Sequence, residues 1–303
     1  MRLAQIATPD GLRTHLRVTD GGYIDVASAT GDPALVTLEG IIAGGPRAVD
    51  TITSLVDRDG TAFSPISFGP AVPSPNRVLC LGRNYREHAL EVGDLDGCDV
   101  PAWPETFLRG ANSVLAPYAP IVRPSLTDAL DFEGELGVLL RSGGRYIRPE
   151  DAESAIFGYV VLNDVTARDW QRAGMQWTPG KNFDASMPVG PEVVTTDEID
   201  VSDLAITTLL NGRVMQAART SQMLVKIHES IEFFSSFATL SAGDLIATGT
   251  PGGVGFARNP PIWLHGGDVV EVSIEGIGTI RNEVVEEADS PADWRWTPAL
   301  GQR

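Results

Sequence analysis

The stretch DFEGELGVLL, Asp131 to Leu140, carries more information about how this chain folds than any other. Its apolar residues and glycines form a strand-like run, and its three carboxylates, Asp131, Glu133 and Glu135, recur at two-residue spacing. Side chains at that spacing share one face of a strand. Three like charges on one face repel, and each raises the pKa of its neighbours. A hard divalent cation held by carboxylate oxygens would compensate them. The plain alternative is an edge strand whose acidic side faces solvent.

Outward from this stretch the texture repeats. RVLCLG, PIVRP, IFGYVVLND, AITTLLNG, DLIATGT, DVVEVSIEGIG and GTIRNEVV are short apolar runs broken by Gly, Pro and Asp. Many strands with turn signals and few helices predict an α+β chain that is mostly β, a sandwich or closed roll. One long helix is expected in SQMLVKIHESIEFFSSFATL, with Met223, Leu224, Ile227, Ile231, Phe234 and Ala238 on one face. Ser241-Ala242-Gly243 would end it. Residues 1–70 form a small α+β module of their own in this reading. It has two strands around Asp20-Gly21-Gly22 and a helix marked by Val49, Ile52, Leu55 and Val56. The Pro- and Ser-rich SPISFGPAVPSPNR then serves as a linker into a main domain over 71–303. The tail, EEADSPADWRWTPALGQR, is expected to be a surface segment.

Composition narrows the function. With 303 residues, 43% of them hydrophobic, the chain can bury a substantial core. Its formal charge of −17 disfavours nucleic acid and anionic membrane surfaces as partners. No apolar run approaches the roughly 18 residues that span a bilayer, and MRLAQIATPDG lacks the apolar core of a signal peptide. Cys80 and Cys98 are too few for a disulfide framework. A cytoplasmic globular protein is the expectation.

Four further segments hold residues suited to chemistry. Asn163 and Asp164 follow the run IFGYVVL, where an acid at a strand end could complete an oxygen shell, or where both residues simply turn the chain. His88 and Glu91 lie three apart in RNYREHALEVG, so on a helix the carboxylate can orient the imidazole as a base. Lys occurs only at 181 and 226, against 21 Arg among 23 basic residues. Lys181, in GKNFDASMPVGP, reads as lying in an irregular loop, where a compact ammonium could meet a developing oxyanion. DLIATGTPGGVGF ends a strand in a glycine-rich turn that could bring N–H groups and the Thr250 hydroxyl to a ligand carboxylate.

GRNYREHALE, DFEGELGVLL, LNDVTARDWQ, GKNFDASMPVGP and ATGTPGGVG, in that order over roughly residues 78–285, resemble the fumarylacetoacetate hydrolase family. The resemblance implies that family's mixed β-roll, usually a homodimer, with an Mg²⁺ or Mn²⁺ site at Glu133, Glu135 and Asp164. Asp131 is less firmly implied as a ligand. It implies a water-activating dyad of His88 and Glu91, an oxygen-stabilising Lys181, and substrate contacts from Arg83, Tyr85, Arg168, Gln171 and Thr250. Arg109 stands where relatives usually carry Lys, which leaves its substrate contact open, and DLDGCDVPAW has no clear template. The implied reaction is C–C bond hydrolysis of a small anionic β-diketo acid of the acylpyruvate type. Decarboxylation or tautomerisation of oxaloacetate-like or unsaturated keto diacids at the same site is the alternative.

Overall fold

The computed structural model describes residues 1–61, 66–92 and 103–288. Part of the linker, Cys98, nearly all of DLDGCDVPAW and most of the tail lie outside the described residues. Two face-packed sheets dominate the rest. The larger runs, in spatial order, Tyr23–Asp25, Gly11–Arg17, Arg2–Thr8, Met187–Thr195, Ile156–Asn163, Gly134–Leu140, Leu245–Ala247, Val78–Gly82 and Glu105–Arg109, with Val114–Leu115 added beside Met187–Thr195. The smaller runs Arg213–Arg219, Ala205–Leu210, Val269–Ile274, Gly278–Glu286 and Ile121–Arg123. A separate pair, Leu130–Asp131 and Thr166–Ala167, lies next to the site. The expected mostly-β architecture is what forms.

Gly134–Leu140 is an interior strand, buried along its whole length. Leu136, Val138 and Leu140 belong to the core shared with Ile206, Val270, Val272 and Ile280 of the smaller sheet. Leu139 belongs to a second core, where Leu38, Ile41, Ile42 and Ile52 of the helix Leu38–Thr53 cover the opposite face. Each such aliphatic side chain contributes about 1.5–3 kcal/mol when fully buried. The acidic residues are therefore held inside the protein, which removes the solvent-facing edge strand as an explanation. Glu135 shares parity with Leu139, so it looks toward the helix-covered face.

The expected unbroken strand is interrupted. Asp131 pairs with Thr166 in the short ladder, whereas Glu135 pairs beside Leu162 in the large sheet. The Asp131 carboxylate accepts the Gly255 and Phe256 N–H groups at 2.8 and 3.0 Å, which draws this end of the run toward the glycine turn.

The amino-terminal strands prolong the large sheet, with Arg2 opposite Val194 and Ala4 opposite Glu192. The hairpin of Gly11–Arg17 and Tyr23–Asp25 turns at Asp20-Gly21-Gly22, as the sequence predicts, and a further strand, Arg2–Thr8, joins it through a turn at residues 9–10.

Two local expectations need correction. The long helix spans only Ile227–Phe237. Its would-be first turns break into the separate 3-10 turn Thr220–Gln222 and a non-helical stretch over 223–226, because Asn84 takes the N–H of Leu224 on its backbone carbonyl and that of Val225 on its side chain. Its far end is cut short because Leu240 pairs with Gly144. The MPVGP half of the supposed loop begins the nine-residue strand Met187–Thr195, whose two prolines masked it. Among the described residues no helix is long and apolar enough to cross a membrane.

Candidate active site

The central strands deliver the carboxylates. Ile156–Asn163 ends where the sequence suggests, and the Asp164 N–H donates to the Glu133 carbonyl at 2.8 Å. The Asn163 side chain accepts the Glu133 N–H at 2.9 Å, so both acids leave the sheet at a fixed angle. Glu133, Glu135 and Asp164 present carboxylate oxygens within 4.8 Å of one another, all three buried. Asp131 is not part of this group. Its carboxylate binds the Arg168 guanidinium at 2.8–2.9 Å and the glycine-turn N–H groups.

Three cations pack against these four buried acids. Lys181 donates to Glu133 and to Asp164, both at 2.6 Å. Arg168 reaches Glu133 at 2.6 Å. Arg109 pairs with Asp164 and donates to the Val165 carbonyl at 3.1 Å and to Ser186 at 2.5 Å. Arg109 therefore holds a carboxylate in place and is absent from the cavity wall, which answers the question its substitution for Lys raised. Burial would raise the Glu133 carboxyl, but Arg168 and Lys181 hold it far below the usual range. Glu135 moves the other way, pushed well up by burial and by the charges of Asp164 and Glu133. Burial works against the Lys181 ammonium, yet Asp164 and Glu133 raise its pKa, so the group stays protonated.

With Glu135 ionised, four acids against three cations leave an excess of one negative charge in a buried site, the repulsion that pushes the Glu135 carboxyl up. An all-oxygen donor set with that excess fits a hard divalent ion such as Mg²⁺ or Mn²⁺, and Glu133, Glu135 and Asp164 could hold it.

Lys181 itself is not in an irregular loop. It ends the one-turn helix Thr178–Lys181, which packs on the helix Arg168–Arg172. Only glycine at 180 permits that approach, since a Cβ there would lie 2.4 Å from the Gln171 nitrogen and 2.6 Å from the Ala167 carbonyl oxygen.

His88 and Glu91 meet across one helical turn. Gly82 ends its strand, Arg86–Glu91 is helical, and His88 Nδ1 lies 2.8 Å from Glu91 Oε1. Glu91 is itself fixed by the Gly253 N–H at 2.8 Å. With Nδ1–H donated to Glu91, the lone pair of Nε2 is available as a base. The segment is pinned from outside, because Asn84 Nδ2 donates to the carbonyls of Val225 and Thr248 at 2.9 and 2.8 Å.

A cavity of about 330 Å³ is lined by His88, Glu133, Lys181, Arg168, Gln171 and Arg83, and walled by Phe107, Trp177, Phe256, Glu105 and Arg172. Two candidates stand elsewhere. Thr250 spends its hydroxyl on the Gly134 carbonyl at 3.0 Å and on Gln216 at 2.7 Å. Tyr85 lines a neighbouring cavity behind the dyad helix. The wall residues Arg172, Phe107, Trp177 and Phe256 were not anticipated. Arg172 was nonetheless findable, one helical turn beyond Arg168. A larger cavity of about 750 Å³ beside the start of Ile227–Phe237 also carries a histidine–carboxylate pair, His228 and Glu153 at 3.0 Å, but both of these side chains are exposed.

A mostly-β fold that sets Glu133 of a buried three-carboxylate cluster, a carboxylate-backed histidine and a protonated lysine on one cavity has the features of an enzyme site. Residues 77–285 match the fumarylacetoacetate (FAA) hydrolase C-terminal family, and the chain belongs to it. It is 38% identical over 299 residues to the bovine (Bos taurus) protein named oxaloacetate tautomerase FAHD2A, mitochondrial, covering 94% of this chain and 92% of that one. Among solved structures, a fumarylacetoacetate hydrolase from psychrophilic Exiguobacterium antarcticum superposes with a TM-score of 0.80 at 34% identity, covering 95% of this chain and all of that one. A 2-hydroxyhepta-2,4-diene-1,7-dioate isomerase from Mycobacterium marinum gives 0.71 at 32% identity with the same coverage.

Proposed function

We propose that this enzyme interconverts the keto and enol forms of a small 2-keto diacid of the oxaloacetate kind. The tautomerase and isomerase relatives support this over the C–C hydrolysis that the sequence first suggested. The observation that carries it is the meeting of His88, Lys181 and Arg168 in one cavity of about 330 Å³, a size suited to a compact acid.

A divalent ion bound by Glu133, Glu135 and Asp164 would supply Lewis acidity toward a carbonyl oxygen. The chain's own groups do the rest. His88 Nε2 removes a proton from the carbon between the keto and carboxylate groups, and Glu91 stabilises the imidazolium that forms. Electron density moves to the former keto oxygen, where the Lys181 ammonium offsets the developing charge. The imidazolium returns its proton to that oxygen, so one C–H bond breaks, one O–H bond forms, and no water is consumed. Arg168 and Gln171 orient the substrate.

The second reading is C–C bond hydrolysis, supported by the fumarylacetoacetate hydrolase relative. There His88 would take its proton from water instead. We further propose a homodimer, which light scattering after size exclusion would test, and a catalytic part spanning 71–303 with residues 1–70 as an accessory, as the family match beginning at residue 77 suggests.

The deciding experiment follows the enol absorbance of freshly dissolved oxaloacetate, with products assigned by proton NMR and controls in EDTA. Accelerated, EDTA-sensitive loss of the enol signal without pyruvate is the expected result. Acetate and pyruvate from acetylpyruvate would put hydrolysis in its place. Pyruvate from oxaloacetate above background would make the enzyme a decarboxylase.

A further inference from the structure

Four cationic side chains line the 330 Å³ cavity: Arg83, Arg168, Arg172 and Lys181. Three are committed to protein carboxylates. Arg83 pairs with Glu105, Arg168 with Asp131 and Glu133, and Lys181 with Glu133 and Asp164. Arg172 differs. Its guanidinium lies over the Phe256 ring at 4.9 Å, and among the described residues no carboxylate pairs with it. A ring face fixes a guanidinium while leaving its N–H fork open. In a chain of net charge −17, an arginine held on a cavity wall without an acid partner is an available anion contact.

Its placement adds a length. Arg168 and Arg172 sit on one short helix and both stack on Phe256, at 5.3 and 4.9 Å. Four residues along a helix rise about 6 Å. Arg168 marks the end of the cavity at Glu133, so Arg172 stands roughly one turn from the reacting end. A four-carbon diacid places its carboxyl carbons about 4 Å apart by ordinary C–C bond lengths, and its terminal oxygens reach across that turn.

We infer that Arg172 binds the distal carboxylate of the substrate and makes the enzyme selective for 2-keto diacids over the corresponding monoacids. This rests on the keto-acid reading of the site and adds the group that reads the far end. Arg172 is a specificity residue and takes no part in proton transfer.

The test is calorimetric titration of Mg²⁺-loaded protein with malate and with 2-hydroxybutyrate, unreactive acids that differ only in a distal carboxylate replaced by methyl. Wild type is expected to bind malate about tenfold or more tighter, the scale of one charge-assisted contact. Arg172→Ala should bring the two within about twofold by weakening malate alone, and Arg172→Lys should restore part of the difference. Equal binding in wild type, no binding of malate, an unchanged preference in Arg172→Ala, or parallel weakening of both acids would each overturn the assignment. Oxaloacetate turnover on the same samples separates the two ideas. With turnover present, Arg172→Ala should raise KM about tenfold and leave kcat within about twofold. A malate preference that depends on Arg172 in a protein without turnover would sink the reaction while leaving the diacid contact standing.

Discussion

Replacing Arg109 tests how the buried acids are held. Its side chain has no solvent exposure, and that of its partner Asp164 is 1% exposed. Arg109→Ala removes that ion pair and the donors to Val165 and Ser186. Deleting one partner of a buried pair costs about 3–5 kcal/mol, because the survivor is an uncompensated charge. Asp164 keeps Lys181 at 2.6 Å, so the lower end, about 3 kcal/mol, is expected. Arg109→Lys preserves the charge but not the fork that spans several acceptors, and should lose roughly half as much. Urea unfolding of EDTA-treated protein measures both. With Mg²⁺ present the deficit should shrink, because an ion at Asp164 takes over the neutralising role. A loss below about 1 kcal/mol in Arg109→Ala, against the 3–5 expected for such pairs, would refute this account. So would a deficit indifferent to metal.

Adding Mg²⁺ or Mn²⁺ to EDTA-treated protein should raise stability by about 2.7 kcal/mol at a hundredfold excess over Kd; Glu135→Gln should abolish that gain in a thermal-shift series. Gly180→Ala drives a methyl into the backbone of 167 and 171 and should shift Lys181, costing about 1–3 kcal/mol with a fall in turnover, both visible in one preparation by unfolding and rate assays. The pair Arg13–Asp25 gives a pH signature: burial opposes ionisation of Asp25, but hydrogen bonds from Arg13 and Ser28 bring its pKa to about 2. A lowered carboxyl pKa stabilises the fold above its unfolded value near 3.8, and that contribution disappears as pH falls toward 2. Asp25→Asn should therefore flatten the stability curve between about pH 4 and 2, the interval bounded by the two values, when unfolding is followed across that range.

Strands were legible where apolar runs stood between turn residues: Val78–Gly82 as a short continuous apolar run buried on both faces, Val269–Ile274 as a run that alternates buried and half-buried residues. Met187–Thr195 was hidden by prolines that a local reading treats as breakers, although the strand pairs on both sides around them. The helix Ile227–Phe237 was overextended because nothing near residue 224 reveals that Asn84, far away in sequence, claims its backbone. The same division holds at the site. Glu133, Glu135, His88, Glu91 and Lys181 carried recognisable spacing or scarcity and Asp164 only its place at a strand end; the fold clusters the three acids and sets His88, Glu133 and Lys181 on one cavity. Thr250 sat in a suggestive turn, yet its hydroxyl is occupied by Gly134 and Gln216, which only tertiary structure decides. Asp131 shared the strand spacing and still parted from the others, since its nearest demand is the N–H groups of a loop more than a hundred residues on.

The dyad segment has a further consequence for how the molecule comes into being. Asn84 is fastened to residues 225 and 248, and Glu91 to residue 253, contacts separated by 141, 164 and 162 positions. The dyad segment leaves the ribosome well before its three fastenings, which lie 141 to 164 positions further along the chain. A nascent chain therefore carries its histidine and glutamate through the synthesis of these intervening positions without the partners that aim them. The dyad is aimed only once residues 225, 248 and 253 have followed it out of the ribosome.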